Sequence, residues 1–157
     1  MKITTRSTIV AVAVLLSTTT QAHDKTAPLD SDQKIFLTQY ELARAALAVN
    51  DLTRAKKATE VVAALTVIHH ESSGIDAPPG FVQDARKLVV AKTISEAREI
   101  FKSYSRRAIN VADLKSGYFV VHCSVEPNHE RDWVQATSII GNPFLGNGVP
   151  ICATPKE

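Results

Sequence analysis

Apolar residues recur at helical spacing four times along the chain before giving way to a β-branched and aromatic run. From Ser31 to Val49 the stripe is Phe36, Tyr40, Ala43 and Leu47, with Lys34, Gln39, Glu41 and Arg44 away from it, which predicts an amphipathic helix. Asn50 and Asp51 then stand where a helix stop meets an N-cap, and Leu52 to His69 resumes the period through Ala55, Thr59, Val62, Leu65 or Thr66, and His69. So short a join predicts an antiparallel helical hairpin. The breaker-rich stretch from Glu71 to Gly80 reads as a loop between hairpins. A third helix follows through Phe81, Ala85, Leu88 and Val89, started by Pro79. The fourth opens on Thr93-Ile-Ser-Glu96, a Thr-x-x-Glu capping box, and continues through Ala97, Ile100 or Phe101, Tyr104, Ala108 and Val111. Two such hairpins predict a mainly α protein, an up-down-up-down four-helix bundle.

The period changes after Gly117. Tyr118 to Cys123 is dense in aromatic and β-branched residues and reads as a strand, with Trp133 to Ala136 as its partner. Gly146-Asn-Gly148 supplies positions that tolerate positive φ, so the chain can reverse there and bring Cys152 back toward Cys123. Residues 117–153 are thus expected to form a small β-containing cap on the bundle.

Composition adds an address. Lys2 and Arg6, the apolar run from Ile9 to Leu16 and the small residues of Thr20-Gln-Ala22 make residues 1–22 a secretory signal peptide, and the protein periplasmic or secreted. That run falls short of the ~20 residues that span a bilayer, and no second long one follows. The leader holds two of the eighteen basic residues and none of the acidic ones, leaving sixteen of each. A balanced chain argues against nucleic acid as a partner and against binding at a membrane surface. Residues 23–157 suffice for one domain with a real core.

Two cysteines in an exported chain, with 28 residues between them, predict a Cys123 to Cys152 disulfide, worth about 3–4 kcal/mol in the loop-entropy model. The competing reading takes His122, Cys123, His129 and Cys152 as a metal site, although strand alternation sends His122 and Cys123 to opposite faces. With both thiols consumed, His122 and His129 would rely on Glu126, Glu130 or Asp132 as further ligands. Cleavage after Ala22 would make His23 the first residue, able to chelate Cu(II) through its α-amine and Nδ1. His69 and His70 fit the C-terminal end of the second helix as charges that complement its dipole. Catalysis by Cys123 with His122 or His129 requires a free thiol, which the disulfide removes. Trp133 and Phe144 are either core or the rim of an interaction surface, and the Asn142-Pro143 turn favours some exposure of Phe144.

The order Tyr118 to Cys123, Trp133, Asn142-Pro143-Phe144-Leu145-Gly146 and Val149-Pro-Ile-Cys152-Ala153 resembles an uncharacterised bacterial exported domain that accompanies, or is fused to, membrane-fusion subunits of copper and heavy-metal efflux systems. In that family an aromatic strand runs into Cys-Pro-Met, then come a Trp, Asn-Pro-Tyr-aromatic-Gly and Met-x-x-Cys-Gly. Val125 and Val149 stand here in place of the family's methionines, the soft ligands that would favour Cu(I). The resemblance implies a non-enzymatic binding or accessory protein in periplasmic copper or heavy-metal handling, with an efflux membrane-fusion or other envelope protein as partner. The alternative is an interaction module of the cell envelope that binds no metal. Copper is accordingly the candidate cofactor, with none as the open alternative.

Overall fold

A computed structural model describes residues 29–69, 80–112, 117–123, 131–137, 141–146 and 153–155. The expected signal peptide, His23, His70, nearly all of the predicted 71–80 loop, Glu126, His129, Glu130 and Cys152 lie outside the described residues. Among those described are four helices, α1 (Ser31–Ala48), α2 (Leu52–His69), α3 (Phe81–Val90) and α4 (Ile94–Ala112), and three strands, β1 (Phe119–Cys123), β2 (Trp133–Gln135) and β3 (Ala153–Pro155).

The helix ends follow from local chemistry. Asp30 and Gln33 form a reciprocal box at the start of α1, the Asp30 carboxylate accepting from the Gln33 amide at 2.7 Å and the Gln33 side chain from the Asp30 amide at 3.2 Å. At the other end Asn50 takes a left-handed φ of 62°. The Asn50 amide then donates to the Leu47 carbonyl and the Asp51 amide to the Ala46 carbonyl, the paired closure of a Schellman motif. Asp51 at once caps α2 by accepting from the Arg54 amide at 2.9 Å. Thr93 Oγ1 accepts from the Glu96 amide and the Glu96 carboxylate from the Lys92 amide, one residue ahead of the expected partner.

Contacts run from α1 to α2, α2 to α3, α3 to α4 and from α4 back to α1. Phe36, Tyr40, Phe81, Phe101 and Tyr104 fill the space between the helices, with Phe81 and Tyr104 centroids 4.3 Å apart and Tyr40 stacked on Phe101 at 5.2 Å. Phe101 also meets Phe144 at 5.7 Å, and Phe144 meets Trp133 at 6.1 Å, so one aromatic column passes from the bundle into the cap. The cap is a three-stranded antiparallel sheet in the order β2-β1-β3, with Val121 opposite Trp133 and Cys123 opposite Ala153. Strand β2 rests on α4. No described helix is long and apolar enough to cross a membrane.

Two charged residues depart from the sequence pattern. Arg44, off the apolar stripe of α1, is buried at 4% exposure, and Asp84 on α3 is buried as well. Each is paired: Arg44 chelates Glu41 through two nitrogens at 2.7 and 2.8 Å, and Asp84 receives Arg107 Nε from α4 at 2.8 Å.

Candidate functional site

The sequence-predicted ligands divide as the pleat requires. His122 is half-buried on β1 while Cys123 beside it is fully buried and disulfide-bonded, so the two do not converge on one ion. His122 Nδ1 lies 2.7 Å from Asp132 Oδ1, a carboxylate buried at the start of β2. A carboxylate accepts, so Nδ1 carries the proton and the ring is oriented. Among the described residues no group of three His, Cys, Asp or Glu side chains is arranged to hold a metal ion. His23 and His129 fall outside those residues.

Trp133 and Phe144 are not surface anchors. Trp133 is 0% exposed and Phe144 6%, so of the two alternatives both take the core, and Phe144 lacks the exposure that its turn suggested. The reason is the Asn142 side chain, whose Oδ1 accepts from the amides of Phe144 at 2.9 Å and Leu145 at 3.2 Å. That Asx turn folds Phe144 inward against Phe101 and Trp133. The Trp133 indole donates to Gln135 Oε1, and Gln135 Nε2 to the Thr137 carbonyl, so its polar edge is satisfied without water.

A buried relay joins the sheet to the bundle. Ser105 Oγ donates to the Asp132 carbonyl at 2.8 Å; since that spends its one proton, the Tyr40 hydroxyl donates to Ser105 Oγ, also at 2.8 Å. The Val134 amide completes the chain by donating to the Tyr40 oxygen at 3.2 Å. Burial raises the Tyr40 phenol pKa far above its ordinary value, and Tyr104 is raised by burial with Tyr40 and Asp84 adding to it. Both are neutral groups at physiological pH; Tyr40 packs and hydrogen-bonds, while Tyr104 packs with its hydroxyl buried and, among the described residues, making no hydrogen bond. Tyr118, raised by partial burial and the nearby Glu41, is hydrogen-bonded to Thr38. Tyr40→Phe keeps the ring and removes the relay's central oxygen, so the Val134 amide loses its acceptor. The expected cost is about 1–3 kcal/mol in urea unfolding, with faster hydrogen exchange at that amide.

Two arginines that sequence reasoning did not single out hold the Asn-Pro turn against the helices. Arg44 Nη1 donates to the Gly141 carbonyl at 2.6 Å. Arg98 Nε donates to the Pro143 carbonyl at 2.9 Å, while its Nη2 reaches the Leu47 carbonyl at 3.0 Å and Asn50 Oδ1 at 2.6 Å. Arg98 therefore ties the end of α1, the α1–α2 join and the cap together, and partial burial lowers its pKa. Gly146 packs so closely that a Cβ there would fall within 2.5 Å of Arg98 Nη2 and closer still to Asn50 Oδ1. Beside this junction is an open cleft of about 170 Å³, lined by Ser95, Arg98, Glu99, Lys102, Arg131 and Phe144.

Comparison of the chain with protein-family models, with curated proteins and with solved structures gives no match. The functional reading therefore rests on the site itself.

Proposed function

We propose that this is an exported, non-enzymatic binding or accessory protein that handles copper or another heavy metal in the periplasm, beside an efflux membrane-fusion or other envelope protein. The observation that carries the reading is the His122–Asp132 pair, because a carboxylate on Nδ1 is the arrangement that orients a metal-binding imidazole and raises its basicity. In this reading residues 1–22 are removed on export, His23 and His129 complete the ligand set, and the helices run up-down-up-down. Cys123 pairs with Cys152, the other cysteine of the chain and the residue just before β3, whose Ala153 is opposite Cys123. A sulfur held in a disulfide is no nucleophile, which favours binding over catalysis.

The test is a native mass spectrum of the exported protein after exposure to Cu(II) and Zn(II), followed by titration of variants. One retained, chelator-resistant copper ion is expected. His122→Ala should abolish it, and Asp132→Asn should weaken it by about 10- to 100-fold. An oxidised, metal-free mass would reject the metal reading.

A second reading, an envelope interaction module without metal, is favoured by α1. Ile35 and Leu42, seven residues apart and so nearly on one face of α1, are exposed at 40% and 50%, and Val49 at its C-cap is exposed at 49%. Capture of an envelope partner that is lost on Leu42→Lys, without metal retention, would select this reading.

A further inference from the structure

We propose that the cleft between α4 and the Asn142–Gly146 turn is a binding site for a small free organic carboxylate. The inference is independent of the metal reading, since it uses neither His122 nor Asp132, and either can fail alone. Three of the six lining residues are cationic and one is acidic, in a chain whose charges balance beyond residue 22. Ser95, Arg98, Glu99 and Lys102 share one face of α4 by their helical spacing, and the cap contributes Arg131 and Phe144 from across the cleft.

Arg98 is already built for the task. Among the described residues its Nε and Nη2 are engaged by Pro143, Leu47 and Asn50, which fixes the guanidinium plane where Arg98 lines the cleft. A guanidinium held rigid by the fold loses little freedom on meeting a carboxylate. Lys102 is also restrained, with its side chain 19% exposed and its ammonium 2.8 Å from Glu99, whose own side chain is 64% exposed. Glu99 thus occupies a carboxylate position beside the cleft, and it can swing to solvent when a ligand carboxylate replaces it at Lys102. Phe144 lines the cleft from the cap side, and the Glu99 side chain at Lys102 is itself an organic carboxylate held by one of the cleft's cations. The volume of about 170 Å³ is below the roughly 300–1,000 Å³ of pockets for drug-sized ligands, so the ligand has few heavy atoms.

The test follows backbone amide shifts of the purified protein, disulfide intact, during titration with succinate, inorganic phosphate or sodium chloride at constant ionic strength. A blocked peptide carrying one aspartate forms a fourth arm. Succinate should give saturable shifts at Ser95–Lys102 and Phe144, with phosphate and the peptide at least about tenfold weaker. Lys102→Ala should weaken succinate by about tenfold, and Glu99→Gln should tighten it several-fold by removing the competing carboxylate. Shifts that chloride reproduces, phosphate or peptide binding as tight as succinate, or variants that leave succinate affinity unchanged would each overturn the assignment.

Discussion

Trp133→Ala is expected to lower the free energy of unfolding by about 3–5 kcal/mol, a large share of the 5–15 kcal/mol typical of a domain. The indole is fully buried in β2, where it faces Phe144 across 6.1 Å and donates to Gln135 Oε1. Truncation opens a cavity beside Phe144 and removes the indole N–H that donates to Gln135 Oε1. Both effects act in one direction. The urea midpoint should fall with an unchanged slope, since the fold still unfolds as one unit. Val90→Ala, at a position 69% exposed, serves as the control and should change stability by less than about 0.5 kcal/mol. If Trp133→Ala behaved like that control, the placement of the indole in the core would be wrong.

The second large effect is expected at Gly146, where alanine should cost about 2–4 kcal/mol. One part is backbone conformation: Gly146 has a φ of +71°, a region in which a Cβ meets the neighbouring carbonyl. The other is contact, because the added methyl displaces the Arg98 guanidinium and the Asn50 side chain that it holds. These parts separate in a double-mutant cycle. Asn50→Gly suits the left-handed backbone at residue 50 and removes the side chain that the methyl would strike. Combined with Gly146→Ala it should recover the contact part but not the conformational one, so the double variant is more stable than the sum of single effects implies. Strict additivity would mean that Gly146 and Asn50 do not share the junction.

Much of the helical architecture was legible along the chain because its causes are local. The Phe36–Leu47 stripe, the Asn50-Asp51 join and the Thr93–Glu96 box each depend on residues within a turn or two of one another, and the helices begin and end there. Within the cap, Trp133 was readable as part of the partner strand, whereas Asp132 was only one of three carboxylates grouped with His122 and His129, and the strand pairing selects it. Arg44 and Arg98 were not readable as clamps, since their partners in the cap are the carbonyls of Gly141 and Pro143. A backbone carbonyl has no signature in sequence, and those contacts span 97 and 45 positions.

The exposure of Phe144 was misread for a related reason. An Asn-Pro turn suggests solvent, but the direction of the turn depends on where the Asn142 side chain accepts its hydrogen bonds. The anion cleft is further removed still from any motif, since α4 supplies four of its walls and the cap the other two. By itself the sequence determined the helical periods, their caps and the change to strand after Gly117, all set by short-range backbone and side-chain energetics. The tertiary structure alone decided which charges are buried, which aromatics seal the bundle and where cations gather, because these depend on long-range packing between segments that are close only once the chain has folded.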